Sequence, residues 1–188
     1  MSAPGSRPVL HQLGGVASGH GHGHAHAEQP YEPVFVGEAL AELQALFPKY
    51  PTKRACLLPA LWIVQERRGW ISPDAIDEIG AVLELSPAYI RGVATFYTMY
   101  HLHPVGRHFI QVCGTSPCHL CGSDQVLEAI VRETGCGEVG ATSPDGRFTV
   151  VEVECLGACG FATPVLIDDD FHDSVTPEQV PGLLARYS

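Results

Sequence analysis

Four of the seven cysteines fall into two tight pairs, Cys113-Gly114-Thr115-Ser116-Pro117-Cys118 and Cys155-Leu156-Gly157-Ala158-Cys159. Thiolates in such number and spacing bind soft metal centres, and four of them from two loops suit either a zinc ion or an iron–sulfur cluster. The spacing separates the two weakly. Zinc knuckles favour short C-x2-4-C spacings in both halves, whereas here one half is C-x4-C and the other C-x3-C. Glycines at 114, 157 and 160 let the backbone fold closely around an inorganic core and aim amide N–H groups at sulfur.

Cys121 adds two competing patterns. Cys118-His119-Leu120-Cys121 is a C-x-x-C placed where a strand gives way to a helix, the arrangement of a dithiol oxidoreductase. Thr163-Pro164 before a strand suits the proline that faces such a motif. Cys113-x4-Cys118-x2-Cys121 matches the plant-type ferredoxin spacing, but leaves Cys155 and Cys159 without a role. Taken as a bystander, Cys121 is expected to be a buried or half-buried thiol. Cys56 is expected in a helical core, and Cys136, in a Gly-rich turn, to be exposed and oxidisable. His101, His103 and His108 read as surface or interface histidines, and Asp168-Asp169-Asp170 as a solvated turn. The alternating His20, His22, His24 and His26 could hold Ni, Zn or Cu loosely, or be incidental low-complexity sequence.

The elements that must position these groups can be read from hydrophobic spacing. Residues 1–33 lack periodicity and read as a disordered His/Gly-rich arm. Residues 34–105 read as a helical bundle of about four helices. Its second helix is expected from Lys53 to Arg68, with Pro59 marking a first turn or a kink. Ser72-Pro73 and Ser86-Pro87 each place an N-cap serine before a proline at the first helical position. Trp62, Trp70, Tyr89, Phe96 and Tyr97 are expected to pack in the core. Residues 106–188 alternate strands and helices: strands at 108–112, 148–153 and 164–167, a possible partner at 171–174, and helices at 123–134 and after Thr176. Pro181 conflicts with the last helix. The order predicts an α/β sandwich with helices on a small mixed sheet. If the first two strands are parallel neighbours, both cysteine loops leave the same sheet edge.

Composition narrows the functions available. The chain has 188 residues, 45% hydrophobic and 17% charged, with 11 Lys+Arg against 21 Asp+Glu and a formal charge of −10. That balance argues against a nucleic-acid partner, which needs clustered cations. The longest apolar run, residues 55–64, contains Pro59 and is far short of the roughly 20 residues of a membrane span. No charged segment followed by a long apolar stretch opens the chain, so it reads as cytosolic. No dinucleotide-type Gly-rich turn or P-loop follows a strand, so NADH is not expected to bind this chain.

The two cysteine pairs, separated by about 36 residues, resemble the thioredoxin-like [2Fe–2S] proteins, and among them the E-type subunits of bacterial respiratory complex I. The likeness extends to Gly69-Trp70-Ile71-Ser72, to Val93-Ala94-Thr95-Phe96-Tyr97-Thr98-Met99-Tyr100, to His103-Pro104-Val105-Gly106 and to Val153-Glu154 before Cys155, and covers roughly residues 38–187. The resemblance implies an N-terminal helical bundle followed by a thioredoxin-like α/β domain. It implies one [2Fe–2S] cluster held by Cys113, Cys118, Cys155 and Cys159, within an NADH:quinone oxidoreductase. The implied partners are a flavoprotein subunit carrying FMN and NADH and the other peripheral-arm subunits. The implied location is the cytoplasmic face of the membrane, reached through the complex and without direct insertion. Similar subunits serve NAD-linked hydrogenases and formate dehydrogenases. From another class, the dithiol reading through Cys118 and Cys121 stands as the alternative.

Overall fold

The computed structural model describes residues 31–187, so the His-rich stretch lies outside the described residues. From Glu32 onward the chain forms one unit. Helices come first: α1 (Gly37–Leu46), α2 (Leu57–Arg68), α3 (Pro73–Leu83) and α4 (Pro87–Phe96). The two Ser-Pro starts fold as expected. Ser72 accepts the Ala75 N–H at 3.2 Å and Ser86 accepts that of Tyr89 at 3.3 Å, each ahead of its proline. Glu78 of α3 accepts the amides of Val34 and Phe35 at 3.0 and 2.7 Å, which pins the chain entering α1. The expected second helix is divided. A 3-10 turn at Lys53–Cys56 precedes α2, and Pro59 then falls in the first turn of α2, where its missing N–H is not needed. Leu43, Leu61, Val64, Ile79, Leu83 and Ile90 are fully buried between these helices.

The aromatic residues correct the sequence reading. Trp62, Tyr89, Phe96 and Tyr97 are exposed, Phe96 by 77%, and Trp70 is half-buried. Only Ile90 and Ala94 of α4 are buried, so one narrow stripe anchors this helix and its aromatic side faces outward. Missed from sequence was Gln65, a buried amide on α2. It donates to the Met99 carbonyl at 2.8 Å and accepts the His101 N–H at 2.6 Å, so it fixes the strap that leads from α4 to the sheet.

The second half holds β1 (His108–Cys113), α5 (Ser116–Leu120), α6 (Ser123–Thr134), β2 (Phe148–Val153), β3 (Val165–Ile167), β4 (Asp170–His172) and α7 (Val180–Leu184). The sheet order is β2-β1-β3-β4. β1 and β2 are parallel, His108 opposite Phe148 through Cys113 opposite Val153, while β3 runs antiparallel to both β1 and β4. The sheet is therefore mixed, as expected. One face packs Ile110, Val112, Phe148 and Val150 against Val126 and Ile130 of α6. The conflict at Pro181 is resolved by division. A 3-10 turn at Pro177–Gln179 carries a Thr176/Gln179 capping box, and α7 then starts afresh with Pro181 in its first turn. Asp168 is more than a solvated turn residue. Its carboxylate accepts the Phe109 N–H at 2.8 Å and lies 2.7 Å from His108 Nδ1, tying the β3–β4 turn to the start of β1.

Candidate metal centre

The parallel register decides where the cysteines meet. Cys113 ends β1 opposite Val153, the last residue of β2, and the Gly114 N–H donates to the Val153 carbonyl at 2.9 Å. Both loops therefore emerge side by side from one edge of the sheet. The first turns directly into α5, with Pro117 in its opening turn, and this short helix carries Cys118 back toward Cys113. Their sulfurs are 3.2 Å apart and both residues are buried. The second loop is open to solvent, and there the sulfurs of Cys155 and Cys159 stand 3.7 Å apart. Gly157, at φ +82°, turns its amide to donate to Cys155 Sγ at 3.3 Å. A side chain would be strained in that left-handed conformation.

Electrostatics link the two loops. Burial pushes the Cys113 thiol up, but hydrogen bonds from the Thr115 hydroxyl and amide, the Leu156 amide of the second loop and the Cys118 thiol outweigh it and hold Cys113 below the ordinary thiol range. Thr115 Oγ1 lies 3.3 Å from that sulfur. Cys118 is driven the other way, up to about 11, by burial, by its bond to Cys113 and by the charges of Cys113 and Cys159. Cys159 is raised by its hydrogen bond with Cys155 and by that thiol's charge. Within each pair, one ionised sulfur thus makes the second harder to ionise, and a bound cation would relieve that repulsion.

Each cysteine pair is spaced to grip a tetrahedral metal. Two thiolates on one tetrahedral metal, with bonds of about 2.3 Å, stand about 3.8 Å apart. The Cys155–Cys159 pair is already there, and the Cys113–Cys118 pair needs to open by about half an ångström. Two pairs, each spaced for its own metal, match the two-iron arrangement.

The structure separates Cys121 from both pairs. It is exposed, contrary to the sequence expectation, and its backbone N–H caps α5 by donating to the Cys118 and Pro117 carbonyls at 3.0 and 3.2 Å. A dithiol nucleophile at Cys118 would need a lowered pKa and access to substrate, whereas Cys118 is buried and raised. Cys56 is buried as expected. Cys136 is also buried, 3.5 Å from the Phe148 carbonyl, because α6 and β2 close over the turn that carries it; this corrects the expected exposure. His101 is half-buried against Phe109, with ring centroids 4.4 Å apart, and burial lowers its pKa. No described helix is long and apolar enough to cross a membrane.

Comparisons with known proteins show the family. The profile of the thioredoxin-like [2Fe–2S] ferredoxins matches residues 43–188. The E-type subunit of the NADH-quinone oxidoreductase of Pseudomonas aeruginosa is 44% identical over 138 residues, covering 73% of this chain and 82% of that protein. The mitochondrial NADH dehydrogenase [ubiquinone] flavoprotein 2 of Dictyostelium discoideum is 39% identical over 153 residues, 80% of this chain, which spans 62% of that longer protein. Among solved structures, an NAD+-reducing [NiFe]-hydrogenase in the air-oxidized state superposes with a TM-score of 0.59 at 20% identity, over 68% of this chain and 22% of its own. That likeness shows a shared fold. With both cysteine loops inside the matched region, the chain belongs to the thioredoxin-like [2Fe–2S] ferredoxin family.

Proposed function

We propose that this chain is an electron-transfer subunit of an NADH:quinone oxidoreductase, holding one [2Fe–2S] cluster through Cys113, Cys118, Cys155 and Cys159. In this reading the chain sits beside a flavoprotein subunit that binds FMN and NADH, within a peripheral arm on the cytoplasmic face of the membrane. The observation that carries it is the pairing of sulfurs at 3.2 and 3.7 Å on two loops that leave one sheet edge together. When bound, such a cluster moves between two states one electron apart. The protein's part is to supply four thiolates, to direct the amides of Thr115, Leu156 and Gly157 at their sulfurs, and to leave one side of the centre open.

Residues 34–105 then serve as a docking bundle and residues 106–188 as the cluster domain. Leu120 and Phe161, one on each cysteine loop, are 86% and 61% exposed. Apolar side chains so placed suit a partner that covers the centre and excludes water from the electron path. Anaerobic purification tests the reading. About two irons and two acid-labile sulfides per chain are expected, with an EPR signal that appears on one-electron reduction. Zinc without iron in protein never exposed to air, or a colourless protein with a reversible disulfide, would refute it. Co-purification with a flavoprotein and larger subunits then identifies the host complex.

A further inference from the structure

We infer that Glu152 sets the electron affinity of this centre, acting as a fixed negative charge seated against the first cysteine loop. The inference rests on the cluster reading above. Glu152 lies near the end of β2, opposite Val112 in the parallel register and so beside the strand that ends in Cys113. Its side chain folds over the backbone of Gly114. A Cβ at position 114 would stand 2.6 Å from the Glu152 carboxyl carbon and 2.8 Å from its Cγ.

Positive φ occurs at Gly157 on the other loop, but not at Gly114. The missing side chain at 114 instead leaves room for a carboxylate one residue away from a ligand. Glu152, Gly114 and Cys155 also line a common cleft of about 530 Å³, with Glu154 beside them and no Lys or Arg on its walls. Among the described ion pairs, none neutralises Glu152.

An oxidised [2Fe–2S] core with four thiolates already carries about −2, and one further electron makes it about −3 with no proton taken up. Glu152 is exposed, so its carboxylate opposes that step through its short distance from the first cysteine loop and not through desolvation. An acid at the far end of the sheet lies beyond the screening length of about 8–10 Å. Asp169, at the tip of the β3–β4 turn beside the start of β1, is such an acid.

The experiment is an EPR-monitored redox titration of the full chain as wild type, Glu152→Gln, Glu152→Asp and Asp169→Asn, with iron and sulfide measured in each. Glu152→Gln is expected to keep the wild-type g-values and iron content and to raise the ratio of reduced to oxidised cluster at fixed ambient potential three- to tenfold. Tenfold corresponds to about 59 mV for one electron. Asp169→Asn is expected to leave the potential unchanged, and Glu152→Asp, which withdraws the charge by one methylene, to give a smaller shift in the same direction. An unchanged potential in Glu152→Gln, or an equal shift in Asp169→Asn, overturns the inference. If Glu152→Gln does not load, an unmoved potential in Glu152→Asp overturns it instead. A wild-type chain without iron and sulfide would overturn the cluster reading and this inference with it, whereas an unchanged potential in loaded Glu152→Gln overturns this inference alone.

Discussion

Cys118 and Cys121 sit three residues apart on the same short segment, yet their environments assign them opposite roles. Cys118 is buried 3.2 Å from Cys113 Sγ, whereas Cys121 is exposed at the end of α5. In the proposed cluster reading, replacing Cys118 removes one of two thiolates from a metal, since Cys118 is the thiol that stands in contact with Cys113 Sγ. Cys118→Ser is therefore expected to lose most of its iron and visible absorption, and Cys121→Ser to keep both within error; iron analysis of the two variants decides this. Equal loss in both would mean that Cys121 belongs to the centre. The pairing of the cysteines was legible in the sequence because two thiols at short spacing on one loop are brought together locally. Gln65 and the place of Glu152 were not legible. Gln65 bonds backbone groups of Met99 and His101 and Glu152 lies against Gly114, all distant in sequence, and a single polar residue in a helix or strand carries no local mark of such a neighbour.

Two helices show how packing overrides intrinsic preference. Gly80 in α3 and Gly92 in α4 both sit in helical interiors, where alanine is favoured by about 1 kcal/mol. Around Gly92 a Cβ meets nothing within 4 Å, but at Gly80 it would stand 2.8 Å from the backbone carbonyl of Leu85, which closes the turn into α4. Thermal or denaturant unfolding should thus find Gly92→Ala stabilised by about 1 kcal/mol and Gly80→Ala destabilised by about 1–3 kcal/mol. At the chain's other end, Tyr187 fastens α7 to β4: its hydroxyl donates to Asp170 Oδ2 at 2.9 Å and lies 2.7 Å from His172 Nε2. Burial and the Asp170 bond push its pKa from 10.0 up to about 12. The fold therefore holds the neutral phenol, and this contribution is complete below pH 10 and lost as pH rises through about 12. Tyr187→Phe is expected to cost about 1 kcal/mol at neutral pH and to flatten the decline in Tm above pH 10. Element types and order were legible because Ser-Pro starts and strand alternation are local signals. Pro59 in a first turn was one of the two readings its position allowed, but the 3-10 turns at Lys53–Cys56 and Pro177–Gln179 were not legible, since a 3-10 turn and a fresh first turn satisfy the same residues as one continuous helix.

At the scale of the whole molecule, charge and apolar surface divide between the two halves. Residues 106–188 carry 4 Arg against 12 Asp and Glu, a net −8 of the chain's −10, whereas residues 34–105 hold 6 cations and 7 acids. The exposed aromatics are concentrated in the second of these regions: Trp62, Tyr89, Phe96 and Tyr97, with Phe96 and Tyr97 edge-to-face at 5.0 Å. A partner that engages both halves should meet an apolar anchor on the bundle and an acidic rim around the centre. The two contributions are separable by experiment. Exposed as it is, Phe96 contributes little to the fold, so Phe96→Ala should leave stability within about 0.5 kcal/mol and iron content unchanged. If the proposed flavoprotein partner buries it as an aromatic anchor, Phe96 should be worth about 2 kcal/mol, a roughly thirtyfold weakening of association in Phe96→Ala that shows in the dissociation rate. The acidic rim instead acts on encounter. Raising ionic strength from about 0.05 to 0.5 M shortens the screening length several-fold and should slow association while leaving dissociation nearly constant. Surface-bound kinetics with the flavoprotein partner read both rates at once. An apolar anchor confined to the bundle predicts that Phe96→Ala and salt act independently, so the double perturbation should equal their product. A partner seated on the acidic edge alone would leave Phe96→Ala indistinguishable from wild type.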